Sequence, residues 1–173
     1  MTRDEALAFL RAHQPMPDDP ELSEELIRTY DLVRRYFTTH PDPACIPLFL
    51  NSFGERSGFG VYQLVEDVLT KFPPGAVVPH LVEALMHGRR PARYWAALWA
   101  GDFPSEPLSA PLIALLDQAD CDLRSAAALS LEFIPGQQVD DALRRASERE
   151  ADEHVREVID QAIENRSRAT PTE

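Results

Sequence analysis

Residues 110–134 read APLIALLDQADCDLRSAAALSLEFI, two short apolar helices joined by a polar turn. The first opens on Pro111, because proline is tolerated in a first turn, where its missing N–H has no intrahelical partner to lose. Leu112, Ile113, Leu115 and Leu116 follow at once as its apolar face. In the second, Leu123, Ala126, Ala127, Ser130, Leu131 and Ile134 recur at steps of three and four. That spacing is one face of a helix with 3.6 residues per turn.

The same unit recurs along the chain, and internal repeats decide a fold before any single motif does. Pro47, Pro79 and Pro111 stand 32 residues apart, and each precedes an apolar run. Each is therefore expected to open a first helix. A fourth copy without proline begins near Gln138, with Val139, Ala142 and Leu143. The second helices carry an apolar residue followed by arginine: Ala92-Arg93, Leu123-Arg124 and Val155-Arg156, the arginines 31 and 32 residues apart. Their expected buried stripes are Trp95, Ala96, Trp99, Ala100 and Phe103 after Ala92, and Val158, Ile159, Ala162 and Ile163 after Val155. The earliest copy departs from the pattern. Val61, Leu64, Val65, Val68 and Phe72 form its expected stripe, but Tyr62 stands where the other copies carry arginine. The preceding stretch, residues 54–60, holds three glycines and reads as a flexible or tightly turned loop.

Two further helices precede the array. Thr2 to Glu5 forms a capping-box pattern with Leu7 and Leu10 behind it. Leu22, Leu26, Tyr30, Val33 and Phe37 form a longer stripe, and the three prolines of HQPMPDDPE between the two helices mark a loop. The pair is placed to cover the end of the first repeat, whose core face would otherwise meet water. The polar end, residues 166–173, reads as a flexible tail.

The unit of proline-led helix, turn and Asp-x-x-Arg-like second helix resembles the HEAT repeat. It is closest in kind to the short bacterial form also found in phycobilisome-lyase-type proteins. The residues carrying the resemblance are Pro79, Leu81, Val82 and Leu85 with Arg93, Ala96 and Ala100. In the next copy they are Pro111, Leu112, Ile113 and Leu116 with Asp122, Arg124, Ala127 and Leu131. The last copy has Asp152, Val155, Arg156, Ile159 and Ile163. The resemblance covers residues 43–165. It implies an all-α, right-handed α-solenoid of about four helical hairpins behind an N-terminal helical pair. Residues 1–165 would then form one domain, with 1–40 as capping helices and 43–165 as repeats. It fixes no function by itself, since many unrelated proteins use the repeat. In size, acidity and the glycine-rich stretch SGFGVYQLVEDVL, the chain also looks like the HEAT-like immunity proteins of bacterial polymorphic-toxin loci.

Composition bounds the partners. The 173 residues are 44 % hydrophobic, enough for a core, and carry a formal net charge of −12. Nucleic acid and anionic lipid are disfavoured, because both are bound chiefly by cations. A protein with a basic surface is the favoured partner, its association speeded by electrostatic steering. No apolar run approaches the roughly 18–20 residues of a membrane span, and the acidic N-terminus is unlike a secretion signal, so a cytoplasmic location is expected. Cys45 and Cys121 form no C-x-x-C pair, and both are expected to be buried, reduced thiols.

No catalytic constellation is legible, and the chain is expected to be no enzyme, with neither metal nor cofactor. Adjacent carboxylates such as Glu66-Asp67 do not face each other on a helix and make poor acid–base pairs. His80 and His87 lie seven apart, about 10 Å along a helix, too far to share one metal. All five histidines are read as surface residues. The repeat arginines are expected to bridge neighbouring repeats through acids such as Asp122 or Asp152.

The second helices of a solenoid line its concave, binding side. One outward column holds Gln63, Tyr94, Ser125 and Glu157, and its neighbour holds Asp67, Leu98, Leu129 and Gln161. The expected partner-binding residues are Gln63, Glu66, Asp67, Tyr94, Leu98, Leu129, Glu157 and Asp160. They form an apolar centre with an acidic rim, the anatomy of a protein interface. Two readings of Tyr94, Leu98 and Leu129 stay open: contact surface, or core between tightly curled helices. An alternative role, handling a tetrapyrrole or another cofactor, would use Tyr94, Trp95 and Trp99 as an aromatic wall.

Overall fold

The computed structural model describes residues 1–169, and among these every regular element is helical. The α-helices are α1 (Arg3–Ala12), α2 (Glu24–Thr39), α3 (Ile46–Leu50), α4 (Glu66–Leu69), α5 (Pro74–His87), α6 (Arg90–Trp99), α7 (Ser109–Leu115), α8 (Cys121–Leu131), α9 (Gln137–Arg149) and α10 (Glu153–Ala169). Contacts group the chain into two compact units, Met1–Trp95 and Ala96–Glu173, with the boundary inside α6.

In the first unit α1 begins with the expected reciprocal cap. The Glu5 amide donates to Thr2 Oγ1 at 3.3 Å and the Thr2 amide donates to Glu5 Oε2 at 2.7 Å. Together these satisfy two amides that a helix start leaves free. Helix α1 packs on α2 and α3, α2 on α4, and α3 on α5. Their shared core is aromatic. Tyr30 meets Phe49 at 5.9 Å and Tyr62 at 5.5 Å, Phe37 meets Phe49 at 6.0 Å, and Phe53 meets Tyr62 at 5.3 Å, all edge-on. Edge-to-face contact suits the ring quadrupole and adds to the burial of large apolar areas. The Tyr30 hydroxyl is held 2.9 Å from Ser52 Oγ, and burial raises its pKa far above the phenolic range.

The glycine-rich stretch is tightly turned. Gly58, Phe59 and Gly60 all have positive φ, at 58°, 52° and 90°. The Glu55 amide donates to Asp18 Oδ1 at 2.8 Å and the Gly58 amide to Asp19 Oδ1 at 3.0 Å, so the proline-rich loop ties this one down. Two 3₁₀ turns, Gly58–Gly60 and Gln63–Val65, then replace the regular helix the periodicity predicts. A 3₁₀ turn has three residues per turn, so the inward face rotates relative to a 3.6-residue reading. Tyr62, at the position where other copies carry arginine, is fully buried, and Leu64, expected in the stripe, is 38 % exposed.

Pro79 also departs from expectation. Helix α5 begins at Pro74, and Pro79 sits inside it, exposed. The Pro73-Pro74 pair starts the helix earlier because Pro74 at the first helical position pre-sets φ. The carbonyl that Pro79 leaves unbonded belongs to Gly75, which faces solvent. Pro47 and Pro111 do lie in first turns, of α3 and α7.

In the second unit α7 packs on α8, α9 and α10 pair, and α10 lies along α8. The stripe read from the sequence is the core: Leu123, Ala126, Ala127, Ser130, Leu131 and Ile134 are each at most 2 % exposed. Ser130 belongs there for a polar reason. Its hydroxyl donates to the Ala97 and Leu98 carbonyls and accepts from the Gly101 amide at 2.8 Å. It thereby satisfies backbone groups where α6 ends. Asp120 caps α8 through the amides of Asp122 and Leu123, at 3.0 and 3.3 Å. Asp152 accepts from the Val155 amide at 3.1 Å. The repeated acid is therefore Asp120 with Asp152, 32 residues apart, rather than Asp122.

Arg124 does bridge neighbouring hairpins, but through Glu150, with Nε and Nη2 donating to the two carboxylate oxygens at 2.7 and 2.9 Å. Asp152 caps α10 and adds a weaker electrostatic attraction to Arg124. Helix α10 continues through residues 166–169, where a tail was expected. Arg166 explains this: it donates to Asp140 at 2.7 Å and to the carbonyls of Leu131, Glu132 and Ile134 at the end of α8. The rest of the expected tail, 170–173, lies outside the described residues. Cys45 is buried, and burial pushes its thiol up to about 12. Cys121, expected to be buried, is exposed because it starts α8 on the side away from the Leu123 stripe.

Candidate protein-interaction surface

Each second helix presents one face to its core, and the residues that remain outward can be followed one unit at a time. On α8 the residues flanking Leu129 are buried, yet Leu129 itself is 45 % exposed. On α10 Val155, Ile159 and Ala162 face the core, Val158 is half-buried, and His154, Glu157 and Gln161 are exposed. Leu129 and Glu132 of the α8 end, with His154, Glu157, Val158 and Gln161 of α10, line a groove of about 190 Å³. The structure thus brings Leu129, Glu157 and Gln161 of the expected columns to one place. Glu132 and His154 were not expected in the site, and Val158 was expected in the buried stripe of α10 but is only half-buried. The only signal for Glu132 and His154 was helical spacing: three residues from Leu129 to Glu132 and from His154 to Glu157.

The charges of this groove differ from those around it. Several carboxylates elsewhere in the unit are held by arginines: Glu150 by Arg124, Asp117 by Arg149, Asp140 by Arg166 and Glu164 by Arg168. The side chains of Glu132 and Glu157 make no hydrogen bond or ion pair among the described residues. Arg124 holds the Glu150 carboxyl below its usual range, chiefly through the hydrogen bonds between them. Asp160 is exposed and accepts a hydrogen bond from Ser147 of α9. Leu98, near the end of α6, is half-buried, and its carbonyl accepts from Ser130.

In the first unit Gln63 and Glu66 are exposed. Asp67 is exposed but engaged, accepting from Arg34 Nη1 at 3.1 Å and so joining α4 to α2. Tyr94 is half-buried, with the Arg90 guanidinium 5.7 Å over its ring and Trp95 edge-on at 5.3 Å. Trp95 leans on Phe53 at 5.9 Å. Trp99 is 3 % exposed, so the aromatic wall considered for a cofactor is not open along its length. Phe59, absent from the expected site, is 63 % exposed on the glycine loop.

Two clusters have the residue types of metal ligands. His80, Glu83 and His87 line a cleft of about 110 Å³ between α3 and α5, but their ligating atoms do not converge as a set. Asp120, Cys121 and Asp122 do converge within 4.8 Å, at an exposed helix start where Asp120 already serves as the cap. No helix among the described residues is long and apolar enough to cross a membrane.

The profile described as HEAT repeats matches residues 78–164, half of the chain, and the chain belongs to the HEAT-repeat family. That match takes in both α7–α8 and α9–α10, the hairpins that build the groove. No curated protein matches the chain. HEAT repeats generally mediate protein–protein interaction, and the family is typically a non-catalytic scaffold.

Proposed function

We propose that this chain is a non-catalytic protein-interaction module that binds a partner with a basic surface. In its finer form, it is a cytoplasmic immunity protein of a bacterial toxin locus that neutralises a basic toxin domain. The observation that carries the reading is Leu129, a leucine exposed on an otherwise buried helix stretch and flanked by the carboxylates Glu132 and Glu157, which make no ion pair among the described residues. An apolar centre with a charged rim is how interfaces differ from ordinary surface. The net charge of −12 supports the sign of the partner. Gln63, Glu66, Asp67 and Tyr94 on the first unit, and Leu98 and Asp160 on the second, are the further contact residues of this reading.

Co-expression with the product of the adjacent gene, followed by calorimetry on the purified pair, tests it. A stoichiometric complex is expected, weakened by Leu129→Arg with Glu157→Arg while the helical spectrum stays unchanged. A complex indifferent to both substitutions would place the binding surface elsewhere.

A further inference from the structure

We infer that the groove between α8 and α10 is a socket for one cationic side chain, arginine or lysine, projecting from a basic segment of the partner protein. The inference rests on the reading of this chain as a protein-binding module and names the chemistry the groove selects. Leu129 and Val158 form an apolar floor, and Glu132 and Glu157 stand at its rim. Long cationic side chains need that pairing, an apolar track for the methylene stem and anionic oxygens for the head. The two carboxylates are free to receive it, since neither makes a side-chain hydrogen bond or ion pair among the described residues.

Size favours a side chain over a small molecule. About 190 Å³ falls below the roughly 300–1,000 Å³ of pockets that enclose drug-sized ligands. Other occupants fit less well. The chain's own residues 170–173 read TPTE and bring a carboxylate but no cation. A second copy would bring another −12 to an acidic rim. The neighbouring Arg124, Arg149 and Arg166 are held by Glu150, Asp117 and Asp140. Arg124 on Glu150 shows that a glutamate of this unit can hold a guanidinium through both its oxygens.

The test uses the full chain, labelled with ¹⁵N, and three synthetic helical peptides. The first alternates leucine and arginine on opposite faces. In the second citrulline, an uncharged isostere, replaces arginine, and in the third glutamate does. With the arginine peptide, amide shifts are expected to cluster at Leu129, Glu132, His154, Glu157, Val158 and Gln161, and the other two peptides should leave them unmoved. Glu132→Gln with Glu157→Gln should weaken the arginine peptide at least about fivefold, from the worth of two exposed charge pairs. Circular dichroism checks that these substitutions, one half-buried and one exposed, leave the fold intact. Equal binding of the citrulline peptide, shifts that cluster elsewhere, or no binding of the arginine peptide would each overturn the socket. The broader reading fails on a different result, the absence of any protein complex in the co-expression experiment.

Discussion

Gly58 has φ of +58°, and a Cβ built on it would lie 2.6 Å from the Tyr62 ring. No side chain fits there, because the backbone lies directly against the aromatic core of the first unit. The left-handed conformation adds about 1–2 kcal/mol for any other L-residue. Gly58→Ala should therefore lower stability by roughly 2–4 kcal/mol, the backbone cost plus displacement of a buried ring, read as a lower urea midpoint. Phe59 makes the opposite case, since it holds a left-handed φ of 52° while 63 % exposed. Phe59→Gly relieves that conformation and removes no core contact, so stability should stay level or rise by up to about 1 kcal/mol. A bulky aromatic in such backbone on the surface is explained by no contact in its own unit.

Periodicity made the elements of the second unit legible, because regular α-helices keep the 3.6-residue step on which the reading depends. Every residue of the Leu123–Ile134 stripe is buried as expected. The same reading failed where the step changes, at Leu64, because a 3₁₀ turn rotates the face. It also failed at residues 166–169, whose polar composition hides the reach of Arg166 to carbonyls more than thirty positions away. Of the candidate site, the Leu129 and Glu157 positions were legible as outward columns. Glu132, His154 and Val158 were not, because a groove needs two helices to be set side by side. Between hairpins Arg124 and Glu150 form a two-oxygen ion pair. The folded Glu150 carboxyl titrates below its usual 4.5. Its contribution is therefore fully present above that value and is lost as the pH falls through the folded one. Glu150→Gln should cost about 1.5–3 kcal/mol near neutrality. It should also flatten the fall of Tm on acidification below about pH 4.5, a range bounded by the usual glutamate value.

At the scale of the whole molecule the net charge of −12 acts in two directions. Like charges repel within the folded chain, so screening should stabilise it. Between about 0.01 and 0.15 M salt the Debye length shrinks from roughly 30 to 8 Å, and Tm should rise across that range. Affinity for a basic partner should fall over the same range, because the attraction is screened equally. These opposite trends, followed by differential scanning fluorimetry and calorimetry on one preparation, separate a charge kept for binding from one that merely repels.

Hydrogen–deuterium exchange on the chain, free and in complex with the adjacent gene's product, tests most directly the claim that its second helices bind a protein. Exchange should slow on α10 from His154 to Gln161 and at the C-terminal half of α8, leaving α7 and α9 unchanged. Protection confined to α7 and α9, or to α1 and α2, with the α8–α10 groove exchanging as in the free chain, would contradict the account.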